Sequence, residues 1–151
     1  MARAANILLV EDNSDDATLV CTAVQRTFAG IRVFVVCDGS EAISYLTSEG
    51  LYKDRNAYPF PDLILLDLKM PQVNGFEVLR WVRSQPTMKG LPVVVLTGSV
   101  LASDNTLAYE SGANSYLLKP SSFEGLLKTV KSLGEFWFEG NLRPHVLPPT
   151  G

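Results

Sequence analysis

Five short, unbroken apolar runs constrain this chain more than anything else in it: "ILLV" at 7–10, "VFVV" at 33–36, "LILL" at 63–66, "VVVL" at 93–96 and "YLL" at 116–118. A strand with one wet face alternates apolar and polar residues, whereas a strand buried on both faces does not. Strands are therefore predicted at 6–11, 32–36, 62–67, 91–98 and 114–119, in a parallel sheet covered by helices on both faces.

The intervening stretches carry apolar residues at helical spacing. Val20, Val24 and Phe28 mark a first helix ended by Gly30. Ser14 is its expected cap, and Asp15 and Asp16 fall in its first turn, where acids suit the positive helix end. A short helix over 39–50 turns Ile43 and Leu46 inward, and one over 74–85 aligns Phe76, Leu79 and Val82, with Trp81 off that stripe. "SDNTLAYESG" is a weakly apolar fourth helix. The fifth, from Ser121, carries Phe123, Leu126, Leu127, Val130 and Leu133 and runs into "EFWFEG". With 151 residues and neither repeat nor linker, the reading is one doubly wound α/β domain.

The balance of 13 basic and 16 acidic residues, with no basic run, argues against nucleic acid as a direct partner. No apolar stretch approaches the roughly 20 residues of a membrane span, and the N-terminal segment runs straight into "EDNSDD" rather than reading as a signal peptide. A cytoplasmic location is expected, with Cys21 and Cys37 as reduced core residues.

The ends of the predicted strands hold the chemistry. Strand one delivers Glu11 and Asp12, strand three Asp67, strand four Thr97 and Gly98, and strand five Lys119 before Pro120. In a doubly wound sheet these carboxyl ends form one edge, where ligands bind. Two like charges about 4 Å apart repel by roughly 4 kcal/mol at an effective dielectric near 20. Three clustered carboxylates therefore require counter-charge. Lys119 supplies one positive charge and a hard divalent cation with oxygen ligands the rest. Mg²⁺ fits best, because it is held by one or two carboxylates and keeps waters for phosphate oxygens. Such a set suits phosphoryl chemistry.

The ordered series of Glu11-Asp12, "DLKMPQVNG" from Asp67, "TG" at Thr97 and "KP" at Lys119 resembles the receiver domains of two-component response regulators, over roughly 6–133. The resemblance implies a flavodoxin-like five-stranded parallel sheet in the order 2-1-3-4-5 with five helices, a receiver over 1–138 and a C-terminal tail over 139–151. It implies a signalling protein that catalyses its own phosphorylation and dephosphorylation. Asp67 would be the nucleophile that takes a phosphoryl group from a phosphohistidine of a sensor histidine kinase. Asp12, Glu11, Asp67 and the backbone carbonyl of Lys69 would hold Mg²⁺. Lys119 would pair with the aspartyl phosphate and Thr97 hydrogen-bond to it, while Gly98 leaves room for the group to enter. Gly75 matches the family's small residue after the nucleophile, and Tyr116 its aromatic switch partner for Thr97. Lys69 and Ser99 fall at positions that tune dephosphorylation in the family, and a cis Lys119–Pro120 peptide is expected on the same ground.

The loop over 51–61 is longer than most receivers carry. It reads as a surface insertion whose Tyr52, Tyr58 and Phe60 are partly exposed and available to a partner. Together with the "EFWFEGNLRP" end it resembles the single-domain regulators that partner bacterial phytochrome histidine kinases. Nothing after the receiver resembles an output domain, so output is expected through the receiver's own surface, by binding another protein or a second copy of itself, using helix four, strand five and helix five, with the C-terminal end as part of a homodimer contact. Phe136, Trp137 and Phe138 are too many aromatics in a row for one buried stripe. His145 reads as a tail residue. Two alternatives stand apart: a phosphohydrolase of the haloacid dehalogenase type, which would need an acid where Lys69 stands, and a flavin-binding module, whose phosphate "EDNSDD" would repel.

Overall fold

The computed structural model describes residues 4–68, 70 and 74–140. Five parallel strands form one sheet in the order β2-β1-β3-β4-β5, as expected. They are β1 (Ala5–Val10), β2 (Ile31–Val36), β3 (Leu63–Leu66), β4 (Val93–Thr97) and β5 (Ser115–Leu118). The helices between and after them are α1 (Ser14–Thr27), α2 (Gly39–Leu46), α3 (Gly75–Ser84), α4 (Ala102–Glu110) and α5 (Phe123–Gly134). A π-helical turn, Glu135–Gly140, continues α5 past the expected boundary at 138. The remainder of the expected tail, with His145, lies outside the described residues, as do Lys69 and Pro71. No helix among the described residues is long and apolar enough to cross a membrane.

The unbroken apolar runs are explained by two cores. Along β1, Ile7 and Leu9 face a layer built with Val20 and Val24 of α1 and Val130 and Leu133 of α5. Leu8 and Val10 face the opposite layer, with Leu46 of α2 and Val78, Leu79 and Val82 of α3. β3 divides likewise, Leu63 and Leu65 against Ile64 and Leu66. Since alternate side chains of a strand point to opposite faces, every position must be apolar when both faces are covered. α1 and α5 approach so closely that a Cβ on Gly134 would overlap the Phe28 ring.

Four local expectations are corrected. The α1 cap is Asn13, not Ser14: Asn13 has extended backbone and its Oδ1 accepts from Asp16 N at 2.9 Å, whereas Ser14 is already helical. Ile43 is only half-buried; Tyr45 beside Leu46 fills the core position instead. Cys37 is exposed, because it follows β2, an edge strand, and leaves the sheet there. The Lys119–Pro120 peptide is trans, the isomer favoured by about 0.5–1 kcal/mol for X–Pro bonds generally.

The long loop is not a free surface insertion. Tyr52 is buried, and its ring lies 5.0 Å from that of Tyr45 and 5.1 Å from that of Tyr58. Its hydroxyl donates to Glu41 on α2, and the Tyr45 hydroxyl donates to Pro59 O at 2.8 Å. Arg55 donates to Leu46 O and Tyr58 O, both at 3.0 Å, with its guanidinium over the Tyr45 and Phe60 rings. The loop is therefore a strap stitched across the end of α2. Trp81, off its helix stripe as expected, is half-buried against the same core.

Candidate functional site

Backbone hydrogen bonds carry the sheet ladder one step past each strand and so align the predicted site residues. Glu11 N donates to Val36 O at 3.0 Å, Asp67 N to Val10 O at 3.0 Å, and Lys119 N to Thr97 O at 2.8 Å. Glu11, Asp67 and Thr97 are the buried polar residues at this edge, while Asp12 is exposed. One carboxylate oxygen from each of Glu11, Asp12 and Asp67 falls within 4.8 Å of the other two. The sequence-predicted acids thus converge, although they come from two different strand ends.

Lys119 Nζ sits among them, 2.6 Å from Glu11 Oε1, 2.9 Å from Asp16 Oδ2 and 3.4 Å from Asp67 Oδ2. Asp16 was missed in the sequence, where its place in the first helical turn already accounted for its charge. Burial pushes the Glu11 carboxyl up to about 7; the hydrogen bond from Lys119 opposes this and the Asp67 charge adds to it. Burial works against the charged Lys119, but the bonds to Glu11 and Asp16 outweigh it and raise its pKa. Three carboxylates, those of Glu11, Asp16 and Asp67, therefore share the Lys119 ammonium, with Asp12 beside them. The hard oxygen donors of Glu11, Asp12 and Asp67 fit a divalent cation.

Beside the acids opens a cleft of about 470 Å³, lined by Asp16, Asp67, Thr97, Gly98, Ser99, Val100, Leu101 and Lys119. A Cβ on Gly98 would meet nothing within 4 Å, so the cleft is open at that point. Gly75 is held differently. Its N donates to Leu68 O at 3.0 Å, and a Cβ there would overlap the carbonyl oxygen of Asp67. The turn after Asp67 is thus closed by a residue that must be glycine.

Thr97 and Tyr116 are linked through Ser99. Ser99 N donates to Thr97 Oγ1 at 3.3 Å, and the Tyr116 hydroxyl donates to Ser99 O at 3.0 Å. The Ser99 hydroxyl donates to Asp104 Oδ2 of α4 at 2.5 Å. α4 itself buries only Ala108, in a small cluster with Leu68 and Val95 that Tyr116 packs against.

The model of the response regulator receiver domain matches residues 7–131. The chain belongs to that family. The receiver is 39% identical over 138 residues to the probable methanogenesis regulatory protein FilR2 of Methanothrix harundinacea, covering 91% of this chain and 86% of that one. It is 38% identical over 133 residues to response regulator Rcp1 of a Synechocystis species, covering 88% of each. The manganese-bound structure of Rcp1 superimposes with a TM-score of 0.82 at 36% identity, over 93% of this chain and 99% of the other. The phosphorylated cyanobacterial phytochrome response regulator RcpA superimposes with a TM-score of 0.86 at 39% identity, over 94% and 99%. The receiver is accordingly a two-component signalling protein similar to phytochrome response regulators. Neither the family match nor these relatives supports the phosphohydrolase alternative.

Proposed function

We propose that the receiver accepts a phosphoryl group on Asp67 from a phosphohistidine of a sensor histidine kinase, of the phytochrome type that its relatives suggest. The observation that carries the reading is the Asp67 carboxylate itself, set at the end of the central strand β3, beside Glu11, Asp12 and Lys119 and at the wall of an open cleft. A carboxylate oxygen of Asp67 attacks phosphorus, the bond from phosphorus to the imidazole nitrogen breaks, and the histidine leaves as neutral imidazole after taking a proton. The product is an acyl phosphate, which water later hydrolyses to regenerate the carboxylate. The domain promotes both steps on itself.

Glu11, Asp12, Asp67 and the Lys69 carbonyl would hold Mg²⁺, which supplies charge neutralisation for the phosphoryl oxygens. Lys119 pairs with the acyl phosphate, and Thr97, released from Ser99 N, donates to it. Ser99 also ties down Tyr116 and α4, so movement of Thr97 loosens both. This is the coupling that a response worth about 1–3 kcal/mol needs.

Output runs through the α4, β5, α5 face. Phe136 is 57% exposed and Leu118 50% exposed on this side, and a cleft of about 440 Å³ opens between β5 and α5 beside Phe136 and Trp137. An exposed apolar face of this kind supports a homodimer contact that includes the C-terminal end. The test of the phosphorylation site is incubation with acetyl phosphate and Mg²⁺ followed by intact mass. One added phosphoryl group is expected for the native chain and none for Asp67→Asn. Equal labelling of that variant would remove Asp67 from the role.

A further inference from the structure

Lys119 is held more tightly by other acids than by the acid it is to serve. Its Nζ lies 2.6 Å from Glu11 and 2.9 Å from Asp16, but 3.4 Å from Asp67. An ammonium has three donors, and three carboxylates close on this one. A phosphoryl group on Asp67 brings further negative oxygens to the same ammonium, so one of the existing partners must give way. Glu11 belongs to the carboxylate trio that fits a cation; Asp16 stands outside it, on the first turn of α1, where it lines the cleft.

We propose that Asp16 is a positioning residue of the phosphorylation site, which draws the Lys119 ammonium toward α1 in the resting form and opposes entry and retention of a phosphoryl anion at Asp67. The inference rests on the reading of Asp67 as phosphoacceptor. Its bland competitor is helix stabilisation, since Asp15 and Asp16 both sit at the positive end of α1. Asp15 separates the two. It carries the same charge in the same turn but is exposed and does not line the cleft.

The experiment is a titration of the full chain with beryllofluoride at fixed Mg²⁺, followed by amide NMR. Asp16→Asn is expected to lower the half-saturating concentration about two- to fivefold, the range for removing a partly exposed charge partner. Asp16→Ala should do the same, Asp16→Glu should restore the native value, and Asp15→Asn should leave it unchanged. In metal-free protein the Lys119 ammonium signal in ¹⁵N spectra should be sharp in the native chain and broadened by faster proton exchange in Asp16→Asn. Unchanged or weaker binding by the Asp16→Asn and Asp16→Ala variants, with the native chain binding normally, overturns this inference alone. So does an equal shift in Asp15→Asn, which would assign the effect to general charge. Failure of the native chain to bind beryllofluoride would overturn the Asp67 reading and this one with it.

Discussion

Gly75 and Glu11 show how single residues hold the site at opposite kinds of cost. A Cβ at Gly75 has no flexible neighbour to displace, because it would meet the backbone of Asp67 and Leu68. Gly75→Ala is therefore expected to destabilise the domain by about 1–3 kcal/mol, as overpacking does, and to slow labelling of Asp67 because the turn beside it must move. Urea denaturation and intact mass read the two effects. Glu11 raises a question of pH. Its folded pKa of about 7 stands above the ordinary value of 4.5, so the folded chain binds a proton that the unfolded chain has lost. Without a divalent ion, stability should fall as pH rises from about 4.5 to about 7 and level off above that. Lys119 does not mask this, since its raised pKa contributes fully below its ordinary 10.5 and is constant across that window. Thermal melts in EDTA should show the decline, and Glu11→Gln should flatten it.

At the scale of elements, the strap and α4 stand at two extremes. The 51–61 segment is anchored by aromatic rings and by carbonyls that accept from Arg55 and Tyr45. Tyr52→Ala removes a buried ring and leaves Glu41 without its hydroxyl donor; it should cost about 3 kcal/mol or more. Tyr52→Phe keeps the ring and should cost about 1 kcal/mol. A chemical denaturation series distinguishes them, and equal small losses would make the strap a loosely attached surface loop. α4, by contrast, buries one residue and is held at its start by Ser99 and Asp104. Few buried apolar contacts make a helix free to shift, which suits an element that reports on Thr97.

Across the whole molecule, the π turn that follows α5 meets the apolar layers with one aromatic and turns another to solvent. Phe138 turns into the α1–α5 core, while Phe136 of the same π turn faces outward. That division bears out the expectation that the run of three aromatics leaves one over. If the flank that carries Phe136 is the output surface, native protein with beryllofluoride should sediment as a dimer at high micromolar concentration, and Phe136→Glu should return it to monomer. A chain ending at Glu139 tests the rest of the C-terminal end in the same way. A native chain that stays monomeric with and without beryllofluoride would remove the homodimer from the mechanism.

Apolar patterning was enough for the strands and most of the helices, because a residue's burial on a strand or helix follows from its immediate neighbours in sequence; α4, which buries only Ala108, has no such stripe, and the strand order came from the family resemblance. The convergence of Glu11, Asp12, Asp67, Thr97 and Lys119 was legible for a related reason: each terminates a strand, and parallel strands end at one edge. Other features depended on how elements rotate and which loops close over them. Asp16 reads locally as a helix-end acid, and only the arrival of the start of α1 and the end of β5 at the same edge of the sheet brings it to Lys119, 103 residues away in the chain. Tyr52 and Tyr58 look like loop aromatics until the strap folds onto Tyr45. Asn13 takes the cap from Ser14 by a matter of backbone angle. Sequence determined what each element is and which chemistry its end carries; tertiary structure decided which remote charges share a proton donor, because that depends on distances no local pattern encodes.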